Sequence, residues 1–326
     1  MRPAGHTDDT AMLVAGRNYN GPSAITASGG WYDAGDHGKY VVHGGLALWI
    51  LQNQYEHSLK SGRDAQFTDG KLNIPESENS ISDLMDETKE KRIYYPPSTA
   101  ATLNLAACAA QASRIWKDID SRFSSTCLAS AETAYAAAKK NPAVFAPYGQ
   151  EQGSKTYGDN YVEDDFYWAA CEMYVTTGKK EYLKDLKGYK GSLQMPVILT
   201  GELSGIAGSF DWCATGGLGT LTLALHKSAE FPEIVESIKK AADTFLAVQA
   251  NEGYGIPLAE STNTSEFDGY IETATRYPWG SNGLVMNETI VMAYAYDLLK
   301  DSKYICFSCP QKNSNYPSVP PGFLVS

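Results

Sequence analysis

Residues 94–116 read YYPPSTAATLNLAACAAQASRIW, and this stretch decides the fold. Pro96 and Pro97 halt any preceding element, and Ser98 or Thr99 is placed to cap the next one. An alanine- and leucine-rich run with helical spacing then extends to Trp116. The same grammar recurs on both sides. Residues 41–57, VVHGGLALWILQNQYEH, carry apolar positions at helical intervals. Residues 127–140 are again alanine-rich and end before Asn141 and Pro142. In EDDFYWAACEMYVTTGKKEYLKDL, residues 163–186, acids open a helix and Gly178 stands where one would end. Residues 218–227, 233–250 and 284–300 complete the set, with ISDLMDETKEKR, residues 81–92, as a short helix candidate. Strand-like alternation is nearly absent. Helices in pairs, joined by glycine-rich loops, predict an all-α array or a closed ring of helical hairpins in a single domain, with function carried on the loops.

The chain has 326 residues, 43% of them hydrophobic, enough for a large core. Its net charge of −11 argues against nucleic acid as a partner, because a phosphate binder needs a basic face. No run is long and apolar enough for a membrane span. The N-terminal MRPAGHTDDT lacks the apolar centre of a signal peptide. Six scattered cysteines make no dense disulfide framework, and the lone Cys306–Cys309 pair lacks the second pair or histidine that a zinc site needs. The 21 tyrosines suit stacking on sugars, although most are expected simply to pack.

Residues 29–40, GGWYDAGDHGKY, hold two aspartates three positions apart, Asp33 and Asp36, among aromatic rings. Like charges so close repel. The pair therefore binds a cation, polarises a water, or decorates a solvated turn.

Five stretches together resemble the catalytic module of glycoside hydrolase family 9, largely cellulases. They are GGWYDAGDHGKY, YPPSTAATLNLAA, YGDNYVEDDFYWAACEMYVTTGK, GYGIPLAE and YPWGSNGLVMNETIVMAYAYDL, in family order across most of the chain. The resemblance implies an (α/α)6 barrel with an open cleft at one end and hydrolysis of β-1,4-glucan with inversion. It implies a β-1,4-glucan substrate, no required cofactor, and a secreted location. Inversion needs two carboxyl groups separated by about 6.5–9.5 Å, one to protonate the leaving oxygen and one to activate water. Asp33 and Asp36 are too near in sequence to straddle a sugar, so both belong on the water side. Asp36 is expected to be the general base and Asp33 to orient the same water.

In the family the acid is a glutamate near the C-terminal end, in a TNE-like stretch. Glu288, in MNET, has neighbours that match an earlier family helix, and it is expected to be a helix-surface or rim residue instead. Against the family pattern, the module is expected to lack its beginning, a segment near 87–94 and its C-terminal end. That leaves a non-catalytic glucan-binding remnant as the alternative to a hydrolase, and xyloglucan or mixed-linkage glucan as other substrates. Trp212, Trp279 and Tyr161 are the expected sugar platforms, while Trp49, Trp116 and Trp168 are expected in the core. His37 and His43 are expected to be hydrogen-bonded supports. Asp164, Asp165 and Asp211 offer hard oxygens for a structural calcium ion. The family's cysteine-based zinc site is not expected, because Gly5 precedes His6.

Overall fold

The computed structural model describes residues 10–12, 24–26, 31, 39–71, 80–82, 97–146, 157–260, 264–267, 270–273, 277–278 and 280–305. These form eight α-helices: α1 Val41–Ser61, α2 Thr99–Trp116, α3 Ser121–Lys140, α4 Glu163–Thr177, α5 Lys180–Gly188, α6 Gly216–Lys227, α7 Glu233–Asn251 and α8 Ser281–Leu299. Two short antiparallel ribbons accompany them: β1 Thr10–Met12 with β2 Ala24–Thr26, and β3 Thr264–Phe267 with β4 Tyr270–Thr273. The helix candidate at 81–92 falls almost entirely outside the described residues.

Local chemistry sets the helix ends. The Ser98 side chain accepts from the Ala101 amide at 3.2 Å and starts α2. Asp120 does the same for α3, accepting from the Phe123 amide at 2.9 Å, so that helix begins six residues before the alanine-rich run. Gly178, at φ +69°, ends α4, and GKKEYLKDL continues as the separate helix α5.

The helices divide into two kinds. In α4 every residue from Tyr167 to Tyr174 is buried, and in α6 every residue from Gly216 to Ala224. Helices buried all round belong inside. By contrast α3, α5 and α7 are one-sided and lie outside, α3 against α2, α5 against α4, and α7 between α6 and α8. The inner series runs α1, α2, α4, α6, each packed on the next. It closes from α8 back to α1, where Tyr294 donates to Asn53 Oδ1 at 2.8 Å and His57 Nε2 lies 2.5 Å from Asp297 Oδ2. Inner helices start at residues 41, 99, 163, 216 and 281, so the hairpins recur about every sixty residues. At the α1–α2 crossing Gly45 permits close approach, since a Cβ there would stand 1.5 Å from Asn104 Oδ1. Trp49, Trp116 and Trp168 are all fully buried, as expected.

The inner helices run parallel, and their C-terminal halves meet in a charged network. Arg114 on α2 holds Glu56 on α1 through Nε at 2.6 Å and Nη2 at 2.8 Å, and Glu172 on α4 through Nη1 at 2.6 Å. Glu172 Oε1 also accepts from Trp49 Nε1 at 2.7 Å and from the Thr222 hydroxyl of α6 at 2.6 Å. His226 Nε2 of α6 lies 3.2 Å from Glu56 Oε1. Burial would raise the Glu56 pKa, but Arg114 and His226 overcome it and hold the carboxyl down at about 2.

Candidate active site

The opposite end of the ring, where the inner helices begin, carries the candidate site. Tyr40 is the N-cap of α1, so the GGWYDAGDHGKY motif leads directly into that end. An aromatic cluster covers it. Tyr40 meets Tyr157 edge-on with centroids 4.6 Å apart, and His43 lies 3.9 Å from Tyr157 and 5.5 Å from Trp212. Tyr157 and Trp212 are themselves 5.2 Å apart. Beneath them Val42, Ala100 and Val162, from the starts of α1, α2 and α4, form a small apolar floor. Trp212 is thereby held half-buried against the cluster. His43 packs ring against ring with Tyr157 and Trp212.

Behind the cluster lie three carboxyl groups. Asp164 Oδ2 accepts from the Thr215 amide at 2.8 Å and from the Thr200 hydroxyl at 3.3 Å, while Asp165 Oδ1 accepts from the Thr215 hydroxyl at 3.3 Å. These bonds tie the start of α4 to the start of α6. Asp159 Oδ1 accepts from the Tyr161 amide at 2.9 Å. Burial, then the neighbouring Asp159 charge, pushes Asp164 up to about 7; burial also raises Asp159 to about 6. Asp165 is pushed well up, by burial first and then by Asp164 and Asp159. Asp164 Oδ1 and Asp165 Oδ2 are buried without a hydrogen-bond partner. These two orphaned oxygens fit a hard cation, which would take the place of the missing donors. Asp211 does not join them: its Oδ1 accepts from the adjacent Trp212 amide at 2.7 Å. Among the described residues no group of three or more His, Cys, Asp or Glu side chains is arranged around a metal position.

Helix α8 supplies the far wall. Asn287 donates to the Phe210 carbonyl at 2.9 Å and anchors the loop that carries Trp212. Glu288 is a correction to the sequence reading, which put it at the helix surface or rim. It is fully buried, because α8 is an inner helix with neighbours on most sides, and both its carboxyl oxygens lack partners. Burial pushes its pKa up to about 9.

Tyr161 sits at the same end but outside the ring cluster, its hydroxyl 3.5 Å from Glu163 Oε2. Asp33, Asp36, His37, Trp279 and the Cys306–Cys309 pair lie outside the described residues. Cys108, Cys127, Cys171 and Cys213 are buried thiols in no disulfide. Sequence reasoning missed Tyr157 and Asp159. The available signal was the YGDNY stretch just before α4, where only the last tyrosine was singled out.

The model for Glycosyl hydrolase family 9 matches this chain in two overlapping pieces, residues 1–76 and 73–316. A cellulose 1,4-beta-cellobiosidase of Acetivibrio thermocellus is 39% identical over 336 residues, covering 85% of this chain and 36% of the relative. Endoglucanase C of Cellulomonas fimi is 33% identical over 324 residues, covering 86% of this chain and 28% of the relative. The chain thus spans about a third of the length of these curated relatives. Among solved structures, a metagenome-derived glycoside hydrolase family 9 endoglucanase superposes with a TM-score of 0.73 at 25% identity, covering 92% of this chain and 57% of the other. The ring of parallel inner helices is that of an (α/α)6 barrel, five of whose inner members lie among the described residues. With a family match along nearly the whole sequence, the chain belongs to glycosyl hydrolase family 9.

Proposed function

We propose that this chain is the larger part of a β-1,4-glucan hydrolase module that works with inversion outside the cell, where the polymer is. One observation carries the reading: the GGWYDAGDHGKY motif ends at the N-cap of α1, beside the Tyr40–His43–Tyr157–Trp212 cluster. A pyranose ring laid on Trp212 would lie at the end of the ring where α1 begins. Asp36 is then the general base for the attacking water and Asp33 its second holder. No cofactor is required. Asp164 and Asp165 would hold a structural calcium ion, which neutralises two buried carboxylates and locks α4 to α6.

No residue of this chain is assigned the role of acid. A positioned acid contributes about 10²–10⁴ in rate, so a chain without one binds glucan better than it cuts it. The second reading is a glucan-binding remnant; the chain covers 57% of the solved relative. Reducing-sugar release from carboxymethylcellulose, combined with cellotetraose titration, separates the two. Turnover lost in Asp36→Ala supports the hydrolase; binding without turnover supports the remnant; neither binding nor turnover rejects both.

A further inference from the structure

The loop after α7 contains a feature that the site described so far does not use. Tyr254 is 80% exposed, more than any other large hydrophobic side chain among the described residues. Its backbone is nevertheless held firmly. The Gly255 amide donates to the Glu252 carbonyl at 3.1 Å, closing a turn, and Gly255 takes φ +69° to complete it. The Glu252 carboxylate then accepts from the Tyr254 amide at 2.6 Å and from the Ile256 amide at 3.3 Å, and also from the Tyr277 hydroxyl. The Tyr254 ring stands edge-on to Tyr277, with centroids 6.3 Å apart and planes 60° apart. A solvent-facing turn gains nothing from a fixed apolar ring, because any polar residue would serve the turn itself.

The turn lies on the face of the barrel that carries Trp212. Helix α7 returns from the network end to the mouth, and residues 252–258 come directly after its last turn. Ile256 and Tyr277 pack on an apolar cluster of Leu199, Ile206, Ala214, Leu258 and Leu284. Ala214 is two residues from Trp212, so the cluster that seats the Tyr254 turn also reaches the loop that carries Trp212. A carboxylate and a phenol hydroxyl beside the Tyr254 ring can also take hydrogen bonds from sugar hydroxyls.

We propose that Tyr254 is an outlying sugar platform, on which a β-glucan strand that extends beyond Trp212 lays a further pyranose ring. The inference rests on the glucan reading of the cleft and adds a second, separate contact to it. Calorimetric titration of the full chain with cellotriose and cellohexaose tests it. The wild type is expected to bind cellohexaose more tightly than cellotriose. Tyr254→Ala is expected to weaken cellohexaose about three- to tenfold, the scale of one aromatic contact, and to leave cellotriose unchanged. Tyr254→Trp, with a larger ring, is expected to retain or tighten cellohexaose binding. Wild-type binding of cellohexaose that both variants reproduce would overturn the platform and leave the glucan reading standing. Failure of the wild type to bind either sugar would overturn the glucan reading, and the platform with it.

Discussion

The two ends of the helix ring treat buried charge in opposite ways. At the C-terminal ends of the inner helices, two glutamates share one arginine, and their carboxyl oxygens also accept from Trp49, Gln111 and Thr222, with His226 Nε2 3.2 Å from Glu56. At the N-terminal ends, Asp159, Asp164, Asp165 and Glu288 are buried with no cation among the described side chains, and four of their oxygens have no partner. A saturated network fixes geometry. An unsaturated one costs stability and persists where something else completes it or where function requires it. The contrast divides the barrel into a closed structural end and an unfinished working end.

The largest expected effect breaks the closed end. Arg114→Met leaves Glu56 and Glu172 buried without their counter-charge, and should cost about 3–5 kcal/mol in urea unfolding. Next, the working end can be completed. Calcium at a hundredfold excess over its Kd should stabilise the chain by about 2.7 kcal/mol, and Asp164→Asn should abolish that gain in thermal melts with and without chelator. A wild type that melts identically with calcium and with chelator would mean that the Asp164–Asp165 pair holds no such ion.

Glu288 tests the same end without metal. It holds its proton more tightly when folded than when unfolded, so the native state carries more protons between pH 4.5 and about 9. Stability therefore falls as pH rises through that window and is unaffected by this group below it. Glu288→Met should stabilise by about 1–3 kcal/mol near pH 4.5, where the neutral carboxyl is still buried unpaired, by more at pH 8, and flatten the pH dependence of unfolding. Smallest of these, Ser98→Ala removes the α2 cap and should cost about 1 kcal/mol.

Much of the fold was legible because its signals are local. Ser98, Gly178 and the alanine runs announce helix ends and interiors within a few residues. The start of α3 was missed because SRFSST shows no alanine run, although Asp120 caps it. The closed end was illegible: Glu56, Arg114 and Glu172 lie 58 residues apart in each step, and only the hairpin repeat brings them together. Glu288 was misplaced for a related reason. Its neighbours match an earlier family helix, which sets it apart from the acid but carries no sign of burial, whereas in the ring Asn287 beside it reaches the Phe210 carbonyl. Trp212 was found from its glycine-rich loop, whereas Tyr157, its ring neighbour, lies 55 positions away with no shared pattern.

The central claim is that a glucan lies across the open ends of the inner helices, above the paired aspartates. A crystal structure with cellotetraose tests it most directly. The predicted result is a sugar ring on Trp212 and an anomeric carbon facing Asp33 and Asp36 across one water. Cellotetraose seated elsewhere, or both carboxylates turned from its anomeric carbons, would contradict it.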